Sequence, residues 1–354
     1  MKWMFGLLAV ALVAVPVRAQ THPDALFYMT ENPDSVRSFL AHTKKIGLLV
    51  PTWYSVDANG LVSGGPNPLV LDTAKKEHVP VMPIIGSSGK EDFHKLLGDV
   101  TAQKAMIAAL IREAKGHGYT GFQFDFEDIS WTDRDALSAL VKATADALHG
   151  EGLKLSIATV PNWPGYPGQG GFAKWIYEDW RGAYDLEAIG KAVDLVCLMT
   201  YDQNTRWTMP GPVAGWNWTV ENLDYALKYV PKDKLSLGIP VYGYHWYAGA
   251  PIRRVDPETK RVVESPNATG DYIGAPNAEL LAKEYKGTIQ WDPDDRTAWF
   301  YINRDQMREW VFFTDKRTFE ERYKLTQERG LEGFCSWVLG EEDPAIWDVL
   351  PDAR

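Results

Sequence analysis

Short apolar runs alternate with longer amphipathic segments along nearly all of this 354-residue chain. Such alternation is typical of parallel βα units, because each parallel strand needs a crossover segment before the next one. We expect a closed (β/α)8 barrel of the TIM type, an α/β fold, and an open doubly wound sheet is the alternative topology. The predicted strands are residues 24–30, 46–56, 80–86, 121–127, 154–161, 195–202, 234–244 and 333–340, and the clearest helical patterns are 34–45, 92–116, 134–149, 220–229 and 318–329.

The connection between the seventh predicted strand and the helix near Thr318 is too long for a simple crossover. It contains β-type runs at 288–291, 298–302 and 310–313. A structureless loop of this size is improbable in a compact domain. We therefore predict a small inserted α+β lobe over about residues 247–314, between strand 7 and helix 7, within one domain spanning residues 20–354.

The N-terminus resembles a secretory signal. Lys2 precedes an apolar run, and Val17 and Ala19 place small side chains before a cleavage site after Ala19. The apolar run is short for a membrane span, although an uncleaved N-terminal anchor is the alternative. We expect residues 1–19 to be removed and the mature protein to be secreted or periplasmic.

The charge balance limits the partners of the chain. It carries 47 acidic and 37 basic residues, a formal charge of −10. Nucleic acids and anionic membranes require clustered positive charge, so neither is an expected partner, and a neutral polymer is favoured. The seven histidines are scattered without ligand spacing, so we predict neither a metal nor a cofactor. We expect a monomer.

The chain has two cysteines, Cys197 and Cys335. No disulfide framework can therefore hold this protein together. Both residues have the inward parity of their strands, so a disulfide between them and two buried free thiols both remain open.

The fourth predicted strand carries the most informative pattern. Residues 121–128 read GFQFDFED. Because side chains alternate across a strand, the three phenylalanines share one face, which suits the helix layer. Gln123, Asp125 and Glu127 share the other face and point into the barrel, toward the end where such barrels place their active sites.

Two carboxylates in such a place are costly unless they are paired, hydrogen-bonded or used. Partial burial and mutual repulsion raise the pKa of at least one of Asp125 and Glu127. A carboxylic acid that stays protonated near neutral pH can protonate a glycosidic oxygen. From spacing alone, a buried hydrogen-bond network or a cation site remains an equal alternative.

The segment resembles the signature strand of glycoside hydrolase family 18, Asp-x-x-Asp-x-Asp-x-Glu. Asp125 and Glu127 match its last two positions, whereas Thr120 and Gln123 replace its first two acids. The peptidoglycan-acting branch, similar to spore-cortex hydrolases, often has an amide where Gln123 stands. Further similar motifs are residues 198–202 (LMTYD), 238–244 (GIPVYGY) and 337–340 (WVLG), each on the expected strand.

The resemblance implies a retaining, substrate-assisted mechanism on β-linked N-acetylglucosamine glycans. Glu127 would be the proton donor, Asp125 would orient the acetamido group, and Tyr201 would donate a hydrogen bond to the acetamido oxygen. Trp337 would form the apolar floor under the sugar that is cut. The predicted substrate-binding residues are Trp337, Asp202, Met199, Gln123, Trp53, Tyr28, Asn162 and Tyr244.

Aromatic residues are dense in the loops after the fifth and sixth strands. Exposed aromatics on that face can stack on pyranose rings, although loop packing is the alternative for many of them. Trp53 is a further candidate for the cleft wall. The loop aromatics are Trp163, Tyr166, Trp175, Trp180, Trp207, Trp216 and Trp218.

Two other functions compete with this reading. One is a catalytically silent, sugar-binding lectin of the same barrel type, and the other is a barrel hydrolase that acts on an unrelated glycan. The presence of Glu127 favours an enzyme. Peptidoglycan, chitin, chitooligosaccharides and N-glycan cores share the reacting unit, so the polymer stays open.

Overall fold

The computed structural model describes residues 24–162 and 170–354. The predicted signal peptide, Trp163 and Tyr166 lie outside these residues. Within the described part, no helix combines the length and the apolar character needed to cross a membrane.

The described strands form two sheets. In chain order they are β1 (Asp24–Met29), β2 (Leu48–Pro51), β3 (Tyr54–Val56), β4 (Val62–Gly64), β5 (Ile84–Ser87), β6 (Gly121–Phe124), β7 (Lys154–Thr159), β8 (Leu195–Leu198), β9 (Leu235–Pro240), β10 (Tyr242–Val255), β11 (Val262–Gly274), β12 (Gln290–Asp292), β13 (Thr297–Arg304), β14 (Met307–Phe313) and β15 (Gly333–Trp337).

The α-helices mostly follow the barrel strands. In chain order they are α1 (Pro33–His42), α2 (Pro68–Lys76), α3 (Lys90–Gly98), α4 (Val100–His117), α5 (Arg134–His149), α6 (Gly171–Ile176), α7 (Leu186–Ala192), α8 (Trp216–Ala226), α9 (Ala275–Glu284) and α10 (Lys316–Arg329). A π-helical turn, Tyr177–Arg181, continues α6.

The parallel strands of the larger sheet form a closed barrel, and the short strand β4 pairs with β3 in the antiparallel sense. Its order runs from β2 through β1, β15, β9, β8, β7 and β6 to β5. The second barrel position is divided: β2 pairs with β1, and β3 pairs with β5. A parallel bridge between Leu49 and Val81 closes the circle, and the Leu49 amide donates to the Pro80 carbonyl at 3.0 Å. The predicted TIM-type fold is confirmed.

Strand alternation divides the core into two layers, as the sequence predicts. Phe122, Phe124 and Phe126 lie in the outer layer, between the sheet and the helices. The barrel interior holds a separate apolar cluster that includes Tyr28, Met199 and both cysteines. Cys197 and Cys335 are buried free thiols, so they are not joined in a disulfide.

The second sheet is antiparallel and lies in the chain between β9 and α10. Its order is β11-β10-β14-β13-β12. Side chains of α9 pack with those of β13 and β14 in a small core that includes Ala278, Phe300 and Val311. The predicted α+β insertion is therefore present, and its first strand starts at Tyr242 rather than near residue 247.

Several predicted boundaries are wrong by a few residues, and three of the differences have an identifiable local cause. The pattern 92–116 is two helices, because the Asp99 side chain accepts from the Thr101 and Ala102 amides and starts α4. The run 46–56 is interrupted after Pro51, where the Trp53 amide turns back to the Pro51 carbonyl. The seventh barrel strand ends at Pro240, so Tyr242 and Tyr244 belong to the inserted sheet.

Candidate active site

Strand β6 presents a column of polar side chains to the barrel interior. Gln123, the lowest, is fully buried, donates to the Tyr28 hydroxyl and accepts from Ser156 Oγ at 3.1 Å. The prediction that Gln123 binds substrate is therefore wrong, because the nitrogen and the oxygen of its side-chain amide both form hydrogen bonds inside the barrel. It supports the base of the site instead.

Asp125 lies one step higher, where the backbone still follows the sheet. Its amide donates to the Ile85 carbonyl at 3.1 Å. Its Oδ1 is buried and has no hydrogen-bond partner among the described residues. Burial raises the pKa of Asp125 to about 6. Asp125 thus holds an acceptor that is ready for a donor from a ligand.

Glu127 stands at the mouth of the barrel and lines a cavity. Loss of surrounding water raises the pKa of its carboxyl to about 8, and the negative charges of Asp125, Asp202 and Asp128 add to the effect. The Glu127 side chain is nevertheless exposed at the cavity. Glu127 is therefore a protonated acid near neutral pH that a ligand can reach.

Two residues after β8 face the same cavity. The Tyr201 hydroxyl is buried and lies near Asp125 and Glu127, so burial and these charges hold its pKa far above the ordinary value. It remains a neutral donor. Asp202 has a left-handed backbone with φ of 60°, a conformation that aspartate tolerates better than most residues.

The inserted lobe supplies the partners of Asp202. The Tyr242 hydroxyl donates to Asp202 Oδ1 at 2.6 Å, and the Tyr244 hydroxyl donates to the same oxygen at 3.2 Å. Burial raises the pKa of Asp202, and these two hydrogen bonds oppose the rise. The predicted site residue Tyr244 therefore contacts Asp202, and the sequence reasoning missed Tyr242.

Trp337 and Tyr201 lie between the barrel interior and the lobe. Both pack against the interior cluster and against a second cluster of Val213, Tyr242, Tyr244 and Trp246. The Trp337 ring lies 5.4 Å from the Tyr28 ring. This position at the end of β15 suits an apolar floor for the site.

The cavity beside Glu127 has a volume of about 300 Å³ and is strongly aromatic. Its walls come from the loops after β7 and β8, as the sequence predicts for Trp175, Trp180, Trp207 and Trp218. The remaining lining residues are Val160, Pro161, Phe172, Ile176, Arg181, Met199, Tyr201, Asp202, Gln203, Thr205 and Thr208.

Three aromatic or polar candidates do not face this cavity. Trp53 is 5% exposed, packs on Tyr119 in the outer layer and donates its indole N–H to Glu31 at 2.7 Å, so it is not a cleft wall. The Trp216 ring is covered by the guanidinium of Arg296 at 3.7 Å. Asn162 is largely buried, next to the lining residue Pro161.

Sequence reasoning also missed Phe172 and Arg181. Both lie in the loop after β7, from which other aromatics were selected, but a lone arginine in a loop carries no pattern. In the described part of the chain, no group of three or more His, Cys, Asp or Glu side chains could hold a metal ion.

Comparisons with known proteins agree with this geometry. The chain is 24% identical to the uncharacterized glycosylase YvbX of Bacillus subtilis, over 99% of this chain and 98% of that protein. It is 26% identical to the cortical fragment-lytic enzyme of the same organism, over 84% of this chain and 66% of that protein. The crystal structure of a chitinase from Chromobacterium violaceum shares the fold, with a TM-score of 0.80 and 23% identity over 94% of this chain and 98% of that one.

The family model for glycosyl hydrolases family 18 matches residues 26–342, which include every residue placed at the site above. The match runs from the first barrel strand, past the acidic column of β6 and the inserted lobe, to the residues that follow the last strand. The chain therefore belongs to glycosyl hydrolase family 18, and it is a glycoside hydrolase.

Proposed function

We propose that the protein hydrolyses β-linked, N-acetylglucosamine-containing glycans of the peptidoglycan or chitin type, with retention of configuration. The acetamido group of the substrate would act as the nucleophile. The observation that carries this proposal is the buried Asp125 Oδ1, which has no hydrogen-bond partner in the described part of the chain and lies near a protonated Glu127. An acetamido N–H would give that oxygen its hydrogen bond.

The site provides one group for each proton movement. Glu127 gives its proton to the glycosidic oxygen as the bond from that oxygen to the anomeric carbon breaks. The acetamido oxygen forms a bond to the same carbon, and this produces an oxazolinium ion. The Asp125 carboxylate stabilises the positive charge, and the Tyr201 hydroxyl donates to the acetamido oxygen and holds it in line.

The second half returns the proton. The Glu127 carboxylate accepts a proton from water, and the oxygen of that water attacks the anomeric carbon from the side that the leaving group vacated. The bond to the acetamido oxygen breaks, so the product keeps the β configuration. Trp337 beneath the ring and the aromatic walls would bind the apolar faces of the sugars.

The substrate class is supported by the names of the relatives, a cortical fragment-lytic enzyme and chitinases. A secretory signal at residues 1–19 fits a polymer that lies outside the cytoplasm, so we propose export as well. A sugar-binding lectin is not favoured, because the acid that hydrolysis needs is in place at Glu127.

The proposal is tested with a matched pair of neutral substrates. The protein should release new reducing ends from N-acetylglucosamine oligomers and none from glucose oligomers of equal length. Proton NMR in the first minutes should show the β anomer as the initial product. Equal turnover of the glucose oligomers, or an initial α anomer, would rule out acetamido participation with retention.

A further inference from the structure

The loop after β7 places a cation in the wall of the cavity. Arg181 ends the π-helical turn Tyr177–Arg181, whose wide backbone spiral is closed by a 2.8 Å hydrogen bond from the Gly182 amide to the Tyr177 carbonyl. Single π-helical turns are uncommon in proteins and are frequent at functional sites.

The Arg181 guanidinium has no partner in the described part of the chain. Its Nε is buried without a hydrogen bond, and it forms no ion pair there. Burial lowers the pKa of Arg181, and no carboxylate offsets that effect. A buried charge without compensation costs free energy, because it has lost the water that solvated it.

Nearby acids are engaged elsewhere. Asp179 pairs with Lys90, and Asp185 pairs with Arg134 at 3.2 Å. Glu178 lies 3.7 Å from Lys174. Residues 1–23 and 163–169 contain no aspartate or glutamate, so these segments cannot supply the counter-charge either.

Trp180, the residue before Arg181, also has a buried hydrogen-bond donor in the cavity wall. Trp180 lines the cavity, and its buried indole N–H has no acceptor among the residues that the structure describes. Two adjacent donors thus lack acceptors in one wall of a cavity whose other walls are largely aromatic. Such a wall is complementary to a ligand that brings an anionic acceptor into an otherwise apolar cleft.

We propose that Arg181 binds a carboxylate carried by the substrate, and that it thereby selects N-acetylhexosamine glycans with an acidic substituent over neutral ones. This inference rests on the proposed function and narrows its substrate class toward peptidoglycan. The carboxylate is either the free lactyl acid of N-acetylmuramic acid or the terminal acid of a short peptide attached to it. Chitin offers neither.

The experiment uses four substrates and three variants. The substrates are a neutral N-acetylglucosamine tetramer, an alternating muramic oligomer with free lactyl acids, its methyl ester, and the same oligomer with alanine on the lactyl group. Arg181→Gln removes the charge and keeps a donor, and Arg181→Lys keeps the charge. Lys174→Gln is the matched control, since it removes a charge from the same segment at a side chain that is 60% exposed.

The wild type should have a kcat/KM for a carboxylated oligomer about ten- to a hundredfold above that for the ester, the range of a charge-assisted hydrogen bond. The better of the two carboxylated substrates identifies the source of the acid. Arg181→Gln should lose this preference, because its kcat/KM should fall much more on the carboxylated oligomer than on the ester or the neutral tetramer. Arg181→Lys should retain part of the preference for the carboxylated oligomer, and Lys174→Gln should retain all of that preference.

Thermal unfolding separates recognition from a structural role. Because Arg181 forms no ion pair with any of the described residues, Arg181→Gln should unfold at the wild-type temperature or above it. A lower unfolding temperature with equal loss on all substrates would overturn the assignment, as would equal wild-type turnover of ester and acid.

Binding to the Glu127→Gln protein, measured by calorimetry, keeps this inference apart from the proposed function. The acidic oligomer could bind in a way that depends on Arg181 while the wild type hydrolyses none of the substrates. That result would rule out the proposed hydrolysis and support the assignment of Arg181. Turnover of the substrates by the wild type without any preference for the carboxylated oligomers would support the proposed hydrolysis and overturn the assignment of Arg181.

Discussion

The Tyr242 hydroxyl, on the first strand of the inserted lobe, donates a 2.6 Å hydrogen bond to Asp202 at the end of barrel strand β8. The inserted lobe therefore supplies a hydrogen-bond donor to a carboxylate of the site. Asp202 in turn raises the pKa of Glu127. A residue of the insertion thus acts on the proposed proton donor through one intervening carboxylate.

Tyr242→Phe should lower kcat by about tenfold, because a hydrogen bond to a charged group contributes about 1.5–3 kcal/mol and Tyr244 retains part of the interaction. Steady-state kinetics on an N-acetylglucosamine oligomer measures this. Tyr247→Phe is the matched control, since the hydroxyl of Tyr247 on the same strand bonds the exposed Asp271. Equal effects of both substitutions would contradict a specific role for Tyr242.

Glu127→Gln should reduce kcat about a hundred- to ten-thousandfold, the usual contribution of a general acid. The amide has almost the same shape, so binding of an oligosaccharide should persist in calorimetry. The matched comparison is Asp128→Asn, which changes the next carboxylate along the chain, paired with Lys90 at 3.1 Å. Asp128 acts on Glu127 through its charge alone, so its removal should lower kcat far less. Near-normal turnover by Glu127→Gln would remove Glu127 from the mechanism.

The pH profile of kcat/KM should be bell-shaped. Asp125 must be ionised and Glu127 protonated, so activity should rise through a pKa of about 6 and fall through one of about 8. These values belong to the interacting pair. The Glu127 side chain is exposed at the cavity, which places the alkaline limb at or below pH 8. Asp125→Asn should lose the acid limb, and a profile unchanged in that variant would contradict its role.

The burial of the Asp125 carboxyl should lower the free energy of unfolding at high pH. The pKa of Asp125 is raised from 3.8 to about 6 on folding, so the folded state binds more protons between these values. Stability is lost as the pH rises through this window, by up to about 3 kcal/mol.

Asp125→Asn should therefore raise the thermal midpoint by several degrees at pH 8 and have little effect at pH 4. Calorimetric unfolding at the two pH values checks this sign. A variant that is less stable than the wild type at pH 8 would show that the Asp125 carboxylate has stabilising partners in the protein.

The sequence predicts the barrel and its acidic column well, because both depend on local periodicity. Phenylalanines at every second position determine which face of β6 packs against the helices, and this places Asp125 and Glu127 inside. The break between α3 and α4 was missed, since the capping effect of Asp99 interrupts a hydrophobic pattern that itself continues.

Other parts of the site depend on tertiary contacts that leave no local pattern. Trp53 and Trp175 look alike in sequence, yet Trp53 packs into the outer layer and Trp175 lines the cavity. Tyr242 reaches Asp202 only because the lobe strand begins immediately after β9. Arg181 is distinguished by a buried Nε that has no hydrogen-bond partner among residues 24–162 and 170–354, and this depends on tertiary surroundings that the sequence does not show.

The left-handed backbone at Asp202 limits how this position can change during evolution. A φ of 60° is a conformation that glycine, asparagine and aspartate adopt at the lowest cost. Of these, glycine would leave the tyrosine hydroxyls without an acceptor, and asparagine would remove the negative charge near Glu127. Of the three, only aspartate supplies both the acceptor and the negative charge, so backbone geometry and chemistry favour the same residue at this position.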